Sequence, residues 1–81
     1  MAGKVEVIKK GKVVASSRNL EVLGRYHRIT PVIKSTIKQT ANGSGILKVT
    51  YRDGAKATAK FDSFGVLKNW IETKRKRSGW R

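Results

Sequence analysis

Lys34, Lys38, Lys48, Arg52, Lys56 and Lys60 fall at even spacings, with Thr36, Thr50 and Thr58 between them. Cations and hydroxyls in such rows can neutralise and hydrogen-bond the phosphates of a nucleic acid. A second basic run closes the sequence as Lys74-Arg75-Lys76-Arg77-Ser78-Gly79-Trp80-Arg81. A basic last turn suits the dipole of a helix, but four consecutive cations exceed what that needs. Such a tail can order along a phosphate backbone, with Trp80 stacking on an exposed base. Arg18, Arg25 and Arg28 form a third group. Arg18 and Arg25 are seven residues apart and would share one helix face, with Arg28 three residues beyond. Helices that read the major groove present such stripes. Each group also has a plainer reading. Lys is an ordinary outward residue of an antiparallel sheet, arginines solvate a helix, and Trp80 could pack back onto the fold.

Catalytic groupings are missing. The single His27 falls on the apolar side of a short helical stretch, where a packed ring is the expected role. Asp53 belongs to a turn and Asp62 to a helix cap, while Glu6, Glu21 and Glu72 lie on separate elements. Nothing gathers two carboxylates or a nucleophile with a base, so neither an enzyme nor a metal site nor a cofactor is expected. Asn42-Gly43-Ser44-Gly45 is Gly-rich but lacks the Gly-Lys-Ser/Thr ending of a phosphate loop and reads as a turn.

The 81 residues carry 19 Lys and Arg against 5 Asp and Glu, for a net charge of +14. Self-repulsion at that density opposes compaction, which points to a polyanionic partner. One small domain is all that this length allows, and such a chain buries only about 60–65% of its unfolded surface. A deep multi-walled cleft is therefore excluded. The absence of Cys rules out disulfides and fits a reducing cytoplasm. No apolar run approaches a membrane span, and no signal-peptide core is visible at the N-terminus.

These side chains need a scaffold, and apolar spacing supplies one. Val5–Ile8 and Lys12–Ala15 read as a first hairpin. Ser17 is placed to cap a helix over about Arg18–Arg28, with Leu20, Leu23 and His27 on one stripe and Tyr26 beside it. Thr30-Pro31 ends that helix. Strands follow at about 32–40, 46–52 and 55–61. A second helix starts near Asp62 or Ser63, with Phe61 and Val66 as a hydrophobic staple, and runs through Leu67, Trp70 and Ile71 into residues 74–77. The order is ββαβββα, a two-layer α+β sandwich whose antiparallel sheet carries both helices on one face. Residues 1–73 form the domain and 74–81 its basic tail.

Turn length decides which side chains share a face, because a one-residue slip flips a whole strand. A three-residue loop at Arg52-Asp53-Gly54, with Gly54 left-handed, sets Tyr51, Val49 and Leu47 beside Ala55, Ala57 and Ala59. The same loop at Lys9-Lys10-Gly11 sets Val5 and Val7 beside Ala15 and Val13. At Ala41-Asn42-Gly43 it aligns Ile37 with Leu47 and Ile33 with Tyr51. The opposite face of the last three strands then carries six cations and no acid.

Three stretches carry a resemblance. Gly11-Lys12-Val13-Val14-Ala15-Ser16-Ser17-Arg18-Asn19-Leu20 leads from a strand into a capped helix. Leu47-Lys48-Val49-Thr50-Tyr51-Arg52-Asp53-Gly54 and Phe61-Asp62-Ser63-Phe64-Gly65-Val66-Leu67-Lys68-Asn69-Trp70 follow. Together they are similar to short uncharacterised proteins encoded by bacteriophages. The resemblance implies a phage or prophage origin, in the cytoplasm of a bacterial host, and assigns no activity or functional residue.

The expected function is non-enzymatic binding of nucleic acid, DNA rather than RNA, through phosphates. Tyr51 and Phe61 point to the helix side, so the open face lacks the stacking aromatics of RNA-binding sheets. The alternative is a protein-binding module or inhibitor docking on an acidic surface of a host protein, since both partners are anionic. A nucleoprotein component such as a ribosomal protein fits the size and charge but not the well-patterned core. Oligomeric state and strand order stay open.

Overall fold

A computed structural model describes residues 3–40 and 43–81. Five strands and two helices follow in the order β1 (Gly3–Lys9), β2 (Lys12–Ser17), α1 (Glu21–Ile29), β3 (Val32–Gln39), β4 (Gly45–Tyr51), β5 (Lys56–Phe61) and α2 (Phe64–Arg77). The strands form one antiparallel sheet in the order β2-β1-β5-β4-β3. β1 therefore lies inside the sheet, between its sequence neighbour and the last strand, and β5 is the middle strand. The α+β architecture and the ββαβββα order are those expected.

Alternation builds the core. Val5 and Val7 of β1, Leu47, Val49 and Tyr51 of β4, and Ala57, Ala59 and Phe61 of β5 are buried on one face. Leu20 and Leu23 beside and on α1, with Leu67 and Ile71 of α2, close over them. The small Ala57 and Ala59 sit opposite Val49 and Leu47, which leaves room for the helices. At Gly45 the second helix comes close: a Cβ there would lie 3.0 Å from the Phe64 ring and 3.1 Å from Leu67. Tyr51 is buried whole, and its hydroxyl donates to the Leu23 carbonyl at 3.0 Å, tying β4 to α1. Burial drives its phenol pKa well upward, with Tyr26 and Asp53 adding to the effect.

The turn between β4 and β5 is the three-residue loop expected. Gly54 has φ +92°, Asp53 Oδ1 accepts from Ala55 N–H at 2.9 Å, and Leu47 and Val49 pair with Ala59 and Ala57. The turn between β1 and β2 differs. Lys9 pairs with Lys12, so the loop is two residues, Lys10 (φ 53°) and Gly11 (φ 76°), the paired positive angles of a tight hairpin turn. Val14 is then an extra residue in β2, and beyond it Val7 meets Ala15 and Val5 meets Ser17. The expected partners of Val5 and Val7 were two residues out of step. Val13 faces Ile8 and is 54% exposed. The bulge absorbs the difference in twist and keeps Ala15 inward.

A second bulge corrects the start of β3. Val32, not Ile33, pairs with Tyr51, and Ile33 is left 51% exposed. Ile37 does pair with Leu47. Of the expected third loop, Ala41 and Asn42 lie outside the described residues, while Gly43 has φ +75°. The first helix begins three residues later than expected. Asn19 Oδ1 accepts from Glu21 N–H and Ser17 Oγ from Asn19 N–H, each at 3.0 Å, so these side chains hold a turn ahead of the helix. At the second helix Ser63 is the N-cap, its Oγ accepting from Val66 N–H at 3.4 Å. With Ser63 as the N-cap, Phe61 and Val66 no longer hold the two positions that a hydrophobic staple pairs, which are Asp62 and Leu67.

Candidate functional site

Register turns the open sheet face into a lattice. Across β3, β4 and β5, Lys34, Thr50 and Lys56 make one row, and Thr36, Lys48 and Thr58 the next. Lys38, Ile46 and Lys60 make the third. Lysines alternate with hydroxyls in both directions except at Ile46, and no two lysines of these three strands stand directly opposite. Like charges directly opposed would be destabilising, whereas a diagonal leaves about 7–8 Å between side-chain roots. A dense positive surface is thus compatible with a folded sheet. Shallow hollows run along it, one between Lys34, Lys48 and Lys56 and one between Lys38, Ile46 and Lys48.

The position of β1 modifies this face. Glu6 pairs with Thr58 and Lys4 with Lys60, so one acid adjoins the lattice from β1, while the open face of the last three strands carries none, as expected. Lys4 Nζ and Glu6 Oε1 are 3.8 Å apart, a solvated pair of small energetic weight. Further out, Ile8, Val13 and Val14 make an exposed apolar corner. Arg52 is not on the lattice. It lies beyond the end of β4, its backbone N–H donating to the Pro31 carbonyl at 2.8 Å. With Arg81, Pro31 and Ile33 it lines a hollow at the end of the sheet.

The C-terminal residues are not a loose tail. Residues 74–77 are the last turn of α2, and Trp80 is 4% exposed. Its ring lies 5.0 Å from that of His27 and 5.2 Å, edge to face, from that of Trp70. Trp80 is therefore corrected from a base-stacking side chain to a core residue, because apolar burial outweighs exposure. Its Nε1 is a buried nitrogen without a hydrogen-bond partner, a cost of about 1–3 kcal/mol that the ring's burial offsets. Arg75 is likewise engaged: Nη2 donates to the carbonyl and hydroxyl oxygens of Ser35, each at 2.9 Å. Lys76, Arg77 and Arg81 are exposed.

His27 plays the packing role expected of it. Its Nδ1 accepts from Val32 N–H at 3.1 Å, which fastens the bend at Pro31. Arg18 lies outside α1, so it shares no helix face with Arg25. Arg25 and Arg28 do remain together, facing Lys74 across a groove between the helices. Asp53 is a structural hub. Its carboxylate accepts from Ala55 N–H and from the Tyr26 hydroxyl at 3.2 Å, and pairs with Lys9 Nζ at 3.2 Å. The backbone hydrogen bond, then Lys9, holds its pKa below the ordinary carboxylate value. The Tyr26 hydroxyl is shifted upward by burial and by that carboxylate.

Among the described residues no group of three or more acids or histidines is placed to hold a metal ion, and no helix is long and apolar enough to cross a membrane. Comparison of the chain with protein-family models, curated proteins and solved structures gave no match.

Proposed function

We propose that this protein binds duplex nucleic acid, DNA in preference to RNA, by laying its open sheet face against the phosphate backbone without catalysing a reaction. The observation that carries this reading is the alternating lattice of Lys34, Lys38, Lys48, Lys56 and Lys60 with Thr36, Thr50 and Thr58. Solubility alone is served by mixed charge signs. Here one sign is spread over a flat surface with neutral hydrogen-bonding groups between, which suits a polyanion met from many angles. Tyr51 and Phe61 are buried on the helix side, so these strands offer no aromatic platform for unpaired bases. Lysines on a flat face contact phosphates rather than base edges, so discrimination between sequences is expected to be weak.

The apolar corner of Ile8, Val13 and Val14 supports a second reading, in which the face docks on an acidic protein surface and the corner anchors it. A salt titration separates the two. With five or six lysines each neutralising a phosphate, log K for a DNA duplex should fall with log[salt] at a slope of roughly −5. A slope shallower than about −2, or no binding at low salt, would move the assignment to the protein partner.

A further inference from the structure

The helix layer carries a basic site of its own. Arg25 and Arg28, three residues apart on α1, share one side of that helix. Lys74 reaches them from the last turn of α2, its Nζ held 5.5 Å from the centre of the Trp70 ring. Gly24 leaves the passage open: a Cβ there would sit 3.7 Å from Lys74 Nζ. The result is an open groove of about 420 Å³ with three cations on its walls and Glu21 as its one acid. His27, Ser78 and Trp80 complete the lining.

This groove and the lysine lattice belong to opposite layers of a thin slab, whose extents are 33 × 28 × 17 Å. A duplex lying flat on the sheet cannot also reach the groove between the helices. The lattice holds only five of the 19 cations, so a sheet-bound duplex leaves the helix layer positive. Screening removes the objection that two duplexes would repel. At physiological salt the Debye length is about 8 Å, roughly half the slab's thickness.

We infer that the protein bridges two duplex segments, one on the sheet lattice and one along the groove formed by Arg25, Arg28 and Lys74. This rests on the proposed binding of duplex DNA and adds a second contact to it. Bridging makes a small, highly charged domain into a cross-link that draws duplexes together.

The test is capture of one duplex by another. A biotinylated duplex on beads is coated with protein, washed, and offered a fluorescent duplex of different sequence. The wild type should capture the second duplex. The double variant Arg25→Gln/Arg28→Gln should coat the first duplex with an affinity within about threefold of wild type, yet capture at least about tenfold less of the second. Should the wild type coat the first duplex and capture none of the second, bridging is wrong while duplex binding stands. Equal capture by wild type and variant would remove the groove as the second contact. Failure of the wild type to coat the first duplex at low salt would overturn the proposed function, and bridging with it.

Discussion

Arg75 grips Ser35 twice, donating from Nη2 to the serine's carbonyl and hydroxyl oxygens at 2.9 Å, while that hydroxyl donates to the carbonyl of Arg81. One buried serine on β3 thereby anchors both the last turn of α2 and the residues that follow it. The planar guanidinium fork suits two acceptors on one residue, and an ammonium does not reproduce it. Arg75→Lys should therefore cost about 1–2 kcal/mol in urea melts, while Arg77→Lys on the exposed side should stay within about 0.5 kcal/mol. Equal effects would mean that the fork contributes nothing beyond charge.

Trp80 fills the space between His27 and Trp70, so its loss opens a cavity rather than freeing a tail. Trp80→Ala should destabilise the domain by about 3–5 kcal/mol. Small domains hold about 5–15 kcal/mol in all, so a marked fall in the urea midpoint is expected. A cost under about 1 kcal/mol would show that residues 78–81 are dispensable to the fold.

Gly54 occupies the left-handed position of the β4–β5 turn at φ +92°, with nothing near the place a Cβ would take. The penalty of Gly54→Ala is therefore conformational, about 1 kcal/mol or more, and not steric crowding against a neighbour. Denaturant melts of this variant against wild type give the value directly. A neutral substitution would mean that the turn relaxes to another type.

Asp53 gives the fold an acid limb. Its folded pKa lies below the ordinary 3.8, so its contribution is whole above that value and is lost as pH falls through the folded pKa. Thermal midpoints should drop on acidification below about pH 4, and Asp53→Asn should flatten this part of the profile. Parallel profiles for variant and wild type would assign the acid sensitivity to other carboxylates.

Lys48, Lys56 and Lys60 can be changed together to Gln without altering chain length or strand compatibility. Duplex affinity should fall about tenfold or more at low salt, and the salt slope should flatten by about two to three. Stability should hold or rise as repulsion within the face declines. Unchanged affinity and slope would leave the lattice as a merely solvated surface.

What the sequence made legible was parity. Gly54 and the alternation of Leu47, Val49 and Tyr51 with lysines and threonines are local signals, and together they placed the lattice on one face. Val13 and Ile33 misled because β-branched residues read as core wherever they alternate. The bulges that turn Val13 and Ile33 outward depend on how strands twist against partners far away in the chain. Trp80 and Arg75 read as tail because their partners, His27 and Ser35, lie 40 or more residues upstream. The groove beside Arg25 and Arg28 was half visible: the arginines stood out, but Lys74 joins them only through tertiary packing.

The interior place of β1, between β2 and β5, also governs when the chain can fold. Gly3 pairs with Phe61 and Val5 with Ala59, so the middle of the sheet closes only after β5 has been synthesised. Contacts of such sequence separation slow folding, since a long loop must be ordered before they form. A nascent chain that has emerged only through β4 holds β1 paired with β2 alone, leaving its other, valine-bearing edge bare. Translation through β5 is the step that converts this exposed intermediate into a closed domain, so pausing before residue 56 should expose the nascent chain to aggregation and chaperone capture.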